Sequence, residues 1–198
     1  GETLDPGKTK QNEFGFKYKV GDMLHTLSFF KIEQPNFGRT EDNYYGIFGK
    51  QKNKGFEYAF SGALGRKLDL IGGIAYVDAK QAGTGKKANG MPKWSGTAAL
   101  IYKPTERLNI LGRATYQGSS WIINEKYKVP SHVLFDLGAT YEADVRNTPI
   151  TFKAMLYNVF GKDYWSAARE TVLSYSVRLV RSCSPPLFIC KMCRGGTA

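Results

Sequence analysis

Nothing in this chain of 198 residues approaches the ~20 consecutive apolar residues that a membrane helix needs. A transmembrane helix is thereby excluded. Cysteine is nearly absent: Cys183, Cys190 and Cys193 all lie near the end, so no disulfide framework can organise the rest. Cys190-x-x-Cys193 has no strand or helix context that would make it a metal or redox site. The two histidines, His25 and His132, sit in strand-like segments with no Cys, Asp or Glu at metal-ligand spacing. A lumen-facing or rim position is expected for both, with no metal and no cofactor. Acidic residues are outnumbered, 17 against 28 Lys and Arg, for a net charge of +11. The cations are scattered through turns and alternate strand positions instead of forming one stripe, which points away from a nucleic-acid partner. No signal peptide is visible either. Gly1-Glu2-Thr3-Leu4-Asp5-Pro6 begins as though mid-protein, so a fragment is expected.

What the chain does have is alternation. Phe14, Phe16, Tyr18 and Val20 fall on one side, with Glu13, Gly15, Lys17 and Lys19 on the other. A period of two means a strand with one apolar face. The unit recurs at Met23 to Ile32, and then at Phe56 to Leu64 and Leu68 to Tyr76. It returns at Trp94 to Tyr102, Leu108 to Tyr116, Val133 to Tyr141 and Ile150 to Leu156. About eight strands of roughly ten residues result, the length that a tilted strand needs to cross a bilayer. The fold class expected is all-β: a segment of an antiparallel transmembrane β-barrel, with its strands in a meander.

Two features favour a membrane barrel over a soluble sandwich. The turns near Gly21, Arg66, Thr105 and Arg146 are short, whereas Glu33–Lys54, Ala79–Pro92 and Ser119–Ser131 are long and polar. Short turns on one rim and long loops on the other describe the periplasmic and extracellular ends of an outer-membrane barrel. The apolar faces also tend to end in tyrosine, at Tyr18, Tyr76, Tyr102, Tyr116 and Tyr141, as an interfacial girdle would. Glycines 62, 72, 73, 96, 112 and 138 interrupt the strands, which suits a curved wall. Two alternatives remain at this point: a complete small eight-stranded membrane barrel, passive or structural, and a soluble ligand-binding barrel or sandwich.

Several segments resemble the TonB-dependent siderophore receptor family, in family order. Lys8-Thr9-Lys10-Gln11-Asn12-Glu13-Phe14-Gly15-Phe16-Lys17-Tyr18 is similar to the segment that opens the last third of such barrels, followed by Phe30, Ile32 and Asn36. Gly55-Phe56-Glu57-Tyr58, Leu68-Asp69-Leu70 and Ala75-Tyr76-Val77-Asp78-Ala79 resemble the next hairpin. Met91-Pro92-Lys93, Tyr116-Gln117-Gly118-Ser119 and Val129-Pro130-Ser131 with Asp136 and Tyr141 follow. Asn158-Val159-Phe160-Gly161-Lys162-Asp163-Tyr164-Trp165 resembles the family's Asn-Leu-Phe-Asp-Lys-x-Tyr segment near its end. The resemblance implies a Gram-negative outer-membrane location and a barrel of about 22 strands around a plug. It also implies a ferric siderophore as transported ligand, and TonB acting through the plug. No residues here match the plug, so the chain is not expected to work alone. No enzyme chemistry is visible. Gly83-Thr84-Gly85-Lys86-Lys87 is similar to a phosphate loop but lacks its spacing, and reads as an extracellular loop.

The candidate ligand contacts are Arg39, Tyr44, Tyr45 and Phe48 in one loop, with Trp121 in another. Aromatics plus a guanidinium suit apolar-faced, often anionic siderophores. The chain divides at Arg169: residues 1–169 read as barrel and residues 170–198 as an aberrant tail. With no final strand there, Ile150 to Val159 is expected to keep an open edge, which lipid does not tolerate. A frameshift is the expected origin of the tail, because codons can be chosen for Val180 to Met192 whose second frame reads Pro-Leu-Met-Leu-Ser-Ala-Ser-Phe-Tyr-Leu-Gln-Asp, an alternating strand. Sequencing the gene tests this: codons that permit that frame are expected, and codons incompatible with it remove the idea.

Overall fold

The computed structural model describes residues 6–39, 45–123, 125–145, 148–169, 177–182 and 187–194. Every element among them is a strand. The first six are β1 (Lys10–Val20), β2 (Met23–Arg39), β3 (Tyr45–Ala63), β4 (Leu68–Gln81), β5 (Trp94–Thr105) and β6 (Leu108–Gln117). Then come β7 (Ser120–Ile122), β8 (Tyr127–Val129), β9 (His132–Val145) and β10 (Thr148–Tyr157). The last three are β11 (Tyr164–Arg169), β12 (Val177–Ser182) and β13 (Leu187–Arg194). Nine of them form one antiparallel sheet in the order β1-β2-β3-β4-β5-β6-β9-β10-β13, and β7-β8 and β11-β12 are two small hairpins.

Register explains why this is a wall and not half of a sandwich. Phe14, Phe16, Tyr18 and Val20 of β1 lie opposite Phe29, Leu27, His25 and Met23 of β2. Those four lie opposite Phe56, Tyr58, Phe60 and Gly62 of β3. The series continues through Tyr76, Ile74, Gly72 and Leu70 to Trp94, Gly96, Ala98 and Leu100. Tyr116, Ala114, Gly112 and Ile110 carry it to Val133, Phe135, Leu137 and Ala139. One face of the sheet is therefore apolar from β1 to β10 apart from His25, and no second layer of described residues covers it. Phe14 is 70% exposed and Phe160 75%, while the buried hydrophobic residues among those described, Ala79, Ala88, Ile122 and Val129, lie toward the outer loops. A soluble sandwich would bury this face against a second layer. Facing hydrocarbon, it needs no such layer.

The rows also show shear. The row that begins at Val20 and Met23, beside a turn, reaches Leu137 in the middle of β9. Each hairpin thus hangs lower than the one before it, the stagger that tilts strands in a barrel. Two glycines have specific duties. Gly21 takes φ 57° at the two-residue turn between Val20 and Met23. Gly72 sits under the Phe60 ring, where a methyl group would come within 2.7 Å of the ring and 2.6 Å of the Thr97 carbonyl oxygen.

Three expectations need correction. Glu33–Lys54 is not one long loop: β2 runs on to Arg39 and β3 starts at Tyr45, so the hairpin stands well above the apolar zone. Outside hydrocarbon no apolar face is required, so the alternation fades while the strands continue. Ser119–Ser131 contains the β7-β8 hairpin. Nor does β10 keep an open edge, because Tyr157 to Ile150 pair with Leu187 to Arg194 of β13. Backbone pairing tolerates any side chain there, and the tail supplies the strand that its composition concealed.

An arginine at Leu100 would stand on the apolar face, whereas one at Thr97 would stand on the opposite side. In urea titrations of protein refolded into phosphocholine vesicles, Leu100→Arg should cost about 2–4 kcal/mol and Thr97→Arg much less. Equal losses would contradict the facing assigned here.

Candidate functional site

The face opposite the apolar one carries the polar side chains, among them Glu57, Thr97, Arg113, Thr115, Asp136 and Lys153. In a closed barrel this is the lumen. Its best-ordered feature joins β6, β9 and the segment after β10. Arg113 and Asp136 are register partners, and both Nε and Nη2 of Arg113 donate to Asp136 Oδ2, at 2.8 and 2.7 Å. Asp136 is only 6% exposed, so its second oxygen also needs a donor. The backbone N–H of Asn158 supplies it, donating to Oδ1 at 2.9 Å. The guanidinium lies over the Tyr157 ring at 5.8 Å.

Asn158 can make that contact because it leaves the strand with φ 50°, a conformation asparagine tolerates better than most residues. Its side chain then closes the turn: Oδ1 accepts from the Lys162 N–H at 2.9 Å, and Nδ2 donates to the Lys162 carbonyl at 3.1 Å. Val159 N–H donates to the Phe135 carbonyl at 2.8 Å, and Phe160 meets Phe135 edge-on at 5.2 Å. The Asn158–Lys162 turn is thereby riveted to β9, its polar end in the lumen and its phenylalanine on the outer wall.

At the outer rim the loops fold on one another. Lys87 Nζ sits 4.9 Å from the centre of the Trp121 ring and 3.2 Å from Glu125 Oε1. Gly90 N–H donates to the Trp121 carbonyl at 2.7 Å, and Ala88, Ile122 and Val129 are buried nearby in the chain. Trp121 therefore belongs to loop-to-loop packing, with its ring faced by a lysine. Arg39 and Tyr45 are register partners at the tip of the β2-β3 hairpin, and Phe48 lies three residues further along β3. Tyr44 lies outside the described residues. The structure thus brings Arg39 and Tyr45 together and places Trp121 on a different hairpin. Reading along the chain missed Arg113 and Lys87 and gave Asp136 no role. The available signal was a charge amid uncharged neighbours: Arg113 is the only charge in β6, and Asp136 the only one between Val133 and Tyr141.

His25 does not face the lumen as expected: it lies in the apolar row, between Tyr18 and Phe60. It stacks on Tyr18 at 4.9 Å, and its Nδ1 is 2.8 Å from the Tyr58 hydroxyl. His132 is at the rim, stacked on Tyr164 at 4.4 Å, with no hydrogen-bond partner for Nδ1 among the described residues. No group of three or more His, Cys, Asp or Glu among the described residues could hold a metal ion.

The TonB dependent receptor-like, beta-barrel family matches residues 1–159. An uncharacterized TonB-dependent receptor of Haemophilus influenzae is 26% identical over 174 residues, which cover 78% of this chain and 50% of that protein. The ferrichrome receptor FcuA of Yersinia enterocolitica is 27% identical over 175 residues, covering 82% of this chain and 23% of FcuA. The chain therefore spans half or less of the length of these relatives. Among solved structures, BauA, the ferric preacinetobactin receptor of Acinetobacter baumannii, superposes with a TM-score of 0.78 at 29% identity. That superposition takes in 97% of this chain and 30% of BauA.

One outcome is expected. Asp136→Ala leaves Arg113 and the Asn158 N–H without their acceptor and should cost about 1.5–3 kcal/mol in urea titration, while Asp136→Asn should cost less. A loss under about 0.5 kcal/mol would contradict the rivet.

Proposed function

Because the chain belongs to the TonB dependent receptor-like β-barrel family, we propose that it is the closing sector of the wall, with its outer loops, of an outer-membrane receptor that imports ferric siderophores. The observation that carries this reading is the apolar face, continuous in register from β1 to β10, with the Arg113–Asp136 ion pair on the opposite side at the same level. The named relatives supply the ligand class, since FcuA is a ferrichrome receptor and BauA a ferric preacinetobactin receptor. Outer-membrane lipid meets the apolar face. The ferric siderophore meets the loops and lumen, with Arg39, Tyr44, Tyr45, Phe48 and Trp121 as its candidate contacts. TonB acts through the plug that the family resemblance implies.

The family is one of transport receptors, and no enzymatic step is proposed. The nine-stranded sheet stays open, and the relatives are at least twice as long as the matched segment. A complete small barrel and a soluble sandwich therefore lack support. Residues 1–198 alone supply one sector of wall, from which neither gating nor energy coupling is expected.

Uptake of radiolabelled ferric siderophore by iron-starved cells tests the proposal. Cells lacking their own receptors should take up none when they express this chain alone. Uptake should appear when the chain forms the last sector of a complete receptor, and should collapse with the proton gradient. Uptake by the chain alone, or uptake indifferent to the gradient, would contradict the reading.

A further inference from the structure

The lysines that look scattered along the chain are gathered by register. Phe14, Phe29, Phe56, Tyr76 and Trp94 are partners across β1 to β5 and form a belt on the outward face. From Phe29 onward the ring centres follow one another, Phe29 to Phe56 at 6.2 Å, Phe56 to Tyr76 at 5.9 Å and Tyr76 to Trp94 at 4.9 Å. The next outward row toward the long loops is Asn12, Lys31, Lys54 and Asp78. The row beyond it is Lys10, Glu33, Lys52 and Lys80, and Lys50 follows opposite Pro35. Six lysines and two carboxylates thus share one patch. By contrast, β5, β6, β9 and β10 place no charged residue on their strand positions of this face.

The carboxylates are shared, not matched. Lys50 and Lys52 approach Glu33 at 2.6 and 3.8 Å, and Lys54 and Lys80 approach Asp78 at 4.0 and 3.2 Å. Lys31 and Lys10 add two more exposed cations. The Lys50 hydrogen bond, joined by the charges of Lys50, Lys52 and Lys10, holds the Glu33 carboxyl below the usual carboxylate range despite some desolvation. Lys50, Lys52, Lys54 and Lys80 keep 60%, 56%, 71% and 51% of their side-chain surface exposed, so the excess charge is presented outward.

Height decides what this charge meets. An aromatic belt marks the edge of the hydrocarbon. Alternate residues on a strand are roughly 7 Å apart, so the first lysine row lies about 7 Å above the belt and the second about 13 Å. The headgroup layer is roughly 5–8 Å thick on each side of the bilayer. The lower row therefore stands in that layer, and the flexible stems of the upper row can reach down to it.

We propose that this terrace is a binding site for the phosphate groups of a phosphorylated lipid in the outer leaflet, held by Lys31, Lys52, Lys54 and Lys80 with Lys10 and Lys50 at its margins. The aromatic belt beneath takes the first part of the acyl region, which separates a lipid from a free anion as the occupant. The proposal rests on the outward facing of this sheet but not on the siderophore reading.

The test uses the full chain refolded in detergent micelles, with diphosphorylated lipid A as probe. Lys31→Gln, Lys54→Gln and Lys80→Gln combined should weaken binding by about a hundredfold. The charge-matched set Lys17→Gln, Lys19→Gln and Lys153→Gln, on the opposite face, should leave binding within about threefold. Replacing the same three terrace lysines by arginine should retain it. Glu33→Gln with Asp78→Asn removes the competing carboxylates and should tighten binding, an outcome that impaired folding would not produce. The proposal is overturned if the opposite-face set loses as much, or if dephosphorylated lipid A binds as tightly. Binding of inorganic phosphate alone with equal affinity would show a free-anion site and overturn it as well.

Discussion

Every other feature of this structure depends on the pairing of backbone N–H and C=O groups between neighbouring strands in a medium without water. An unpaired peptide group costs several kcal/mol in hydrocarbon, so the ladder is unbroken across the wall. Once the ladder is fixed, side chains alternate strictly between two solvents. That leaves the sequence one task in each strand, which is to place apolar residues at every second position. Register then does what no single strand can: it turns separate alternations into one continuous surface, an aromatic belt and a charged terrace above it. A slip of one residue in any hairpin would put Arg113 or Glu57 into lipid and Phe135 or Phe56 into the lumen.

The same constraint explains what could be read directly from the residues. Within the bilayer the medium enforces the period, and the eight alternating segments from Phe14 to Leu156 correspond to β1 to β6, β9 and β10 with the expected residues on one face. Above the bilayer the medium is water on both sides. There the strands at Gln34–Arg39 and Tyr45–Lys54 carry polar residues on both faces and look like loop. The tail misleads for a different reason. Leu187, Phe188, Ile189, Cys190, Lys191, Met192 and Cys193 do not alternate, yet their backbone pairs with β10 as readily as any other.

The candidate sites were less legible than the fold, because contacts across a sheet are set by register and not by spacing along the chain. Arg113 and Asp136 are twenty-three positions apart and meet only because β6 and β9 become neighbours once β7 and β8 fold away as a hairpin. Lys52 and Lys80 are similarly distant and share a row. Trp121, chosen for its ring, turns out to hold two loops together through Lys87 and Gly90. Asn158 shows the reverse case. Its place in a recognisable segment was visible, while its work, closing a turn and satisfying Asp136, needed coordinates.

The central claim is that the two faces of this sheet meet different solvents. Single spin labels stepped from Gly96 to Tyr102 along β5, with the protein in lipid vesicles, measure this most directly. Labels at 96, 98, 100 and 102 should collide with oxygen dissolved in the hydrocarbon, and those at 97, 99 and 101 with a water-soluble nickel complex. That gives two curves of period two, out of phase. Curves in phase, or no oxygen maximum at any even position, would contradict the account.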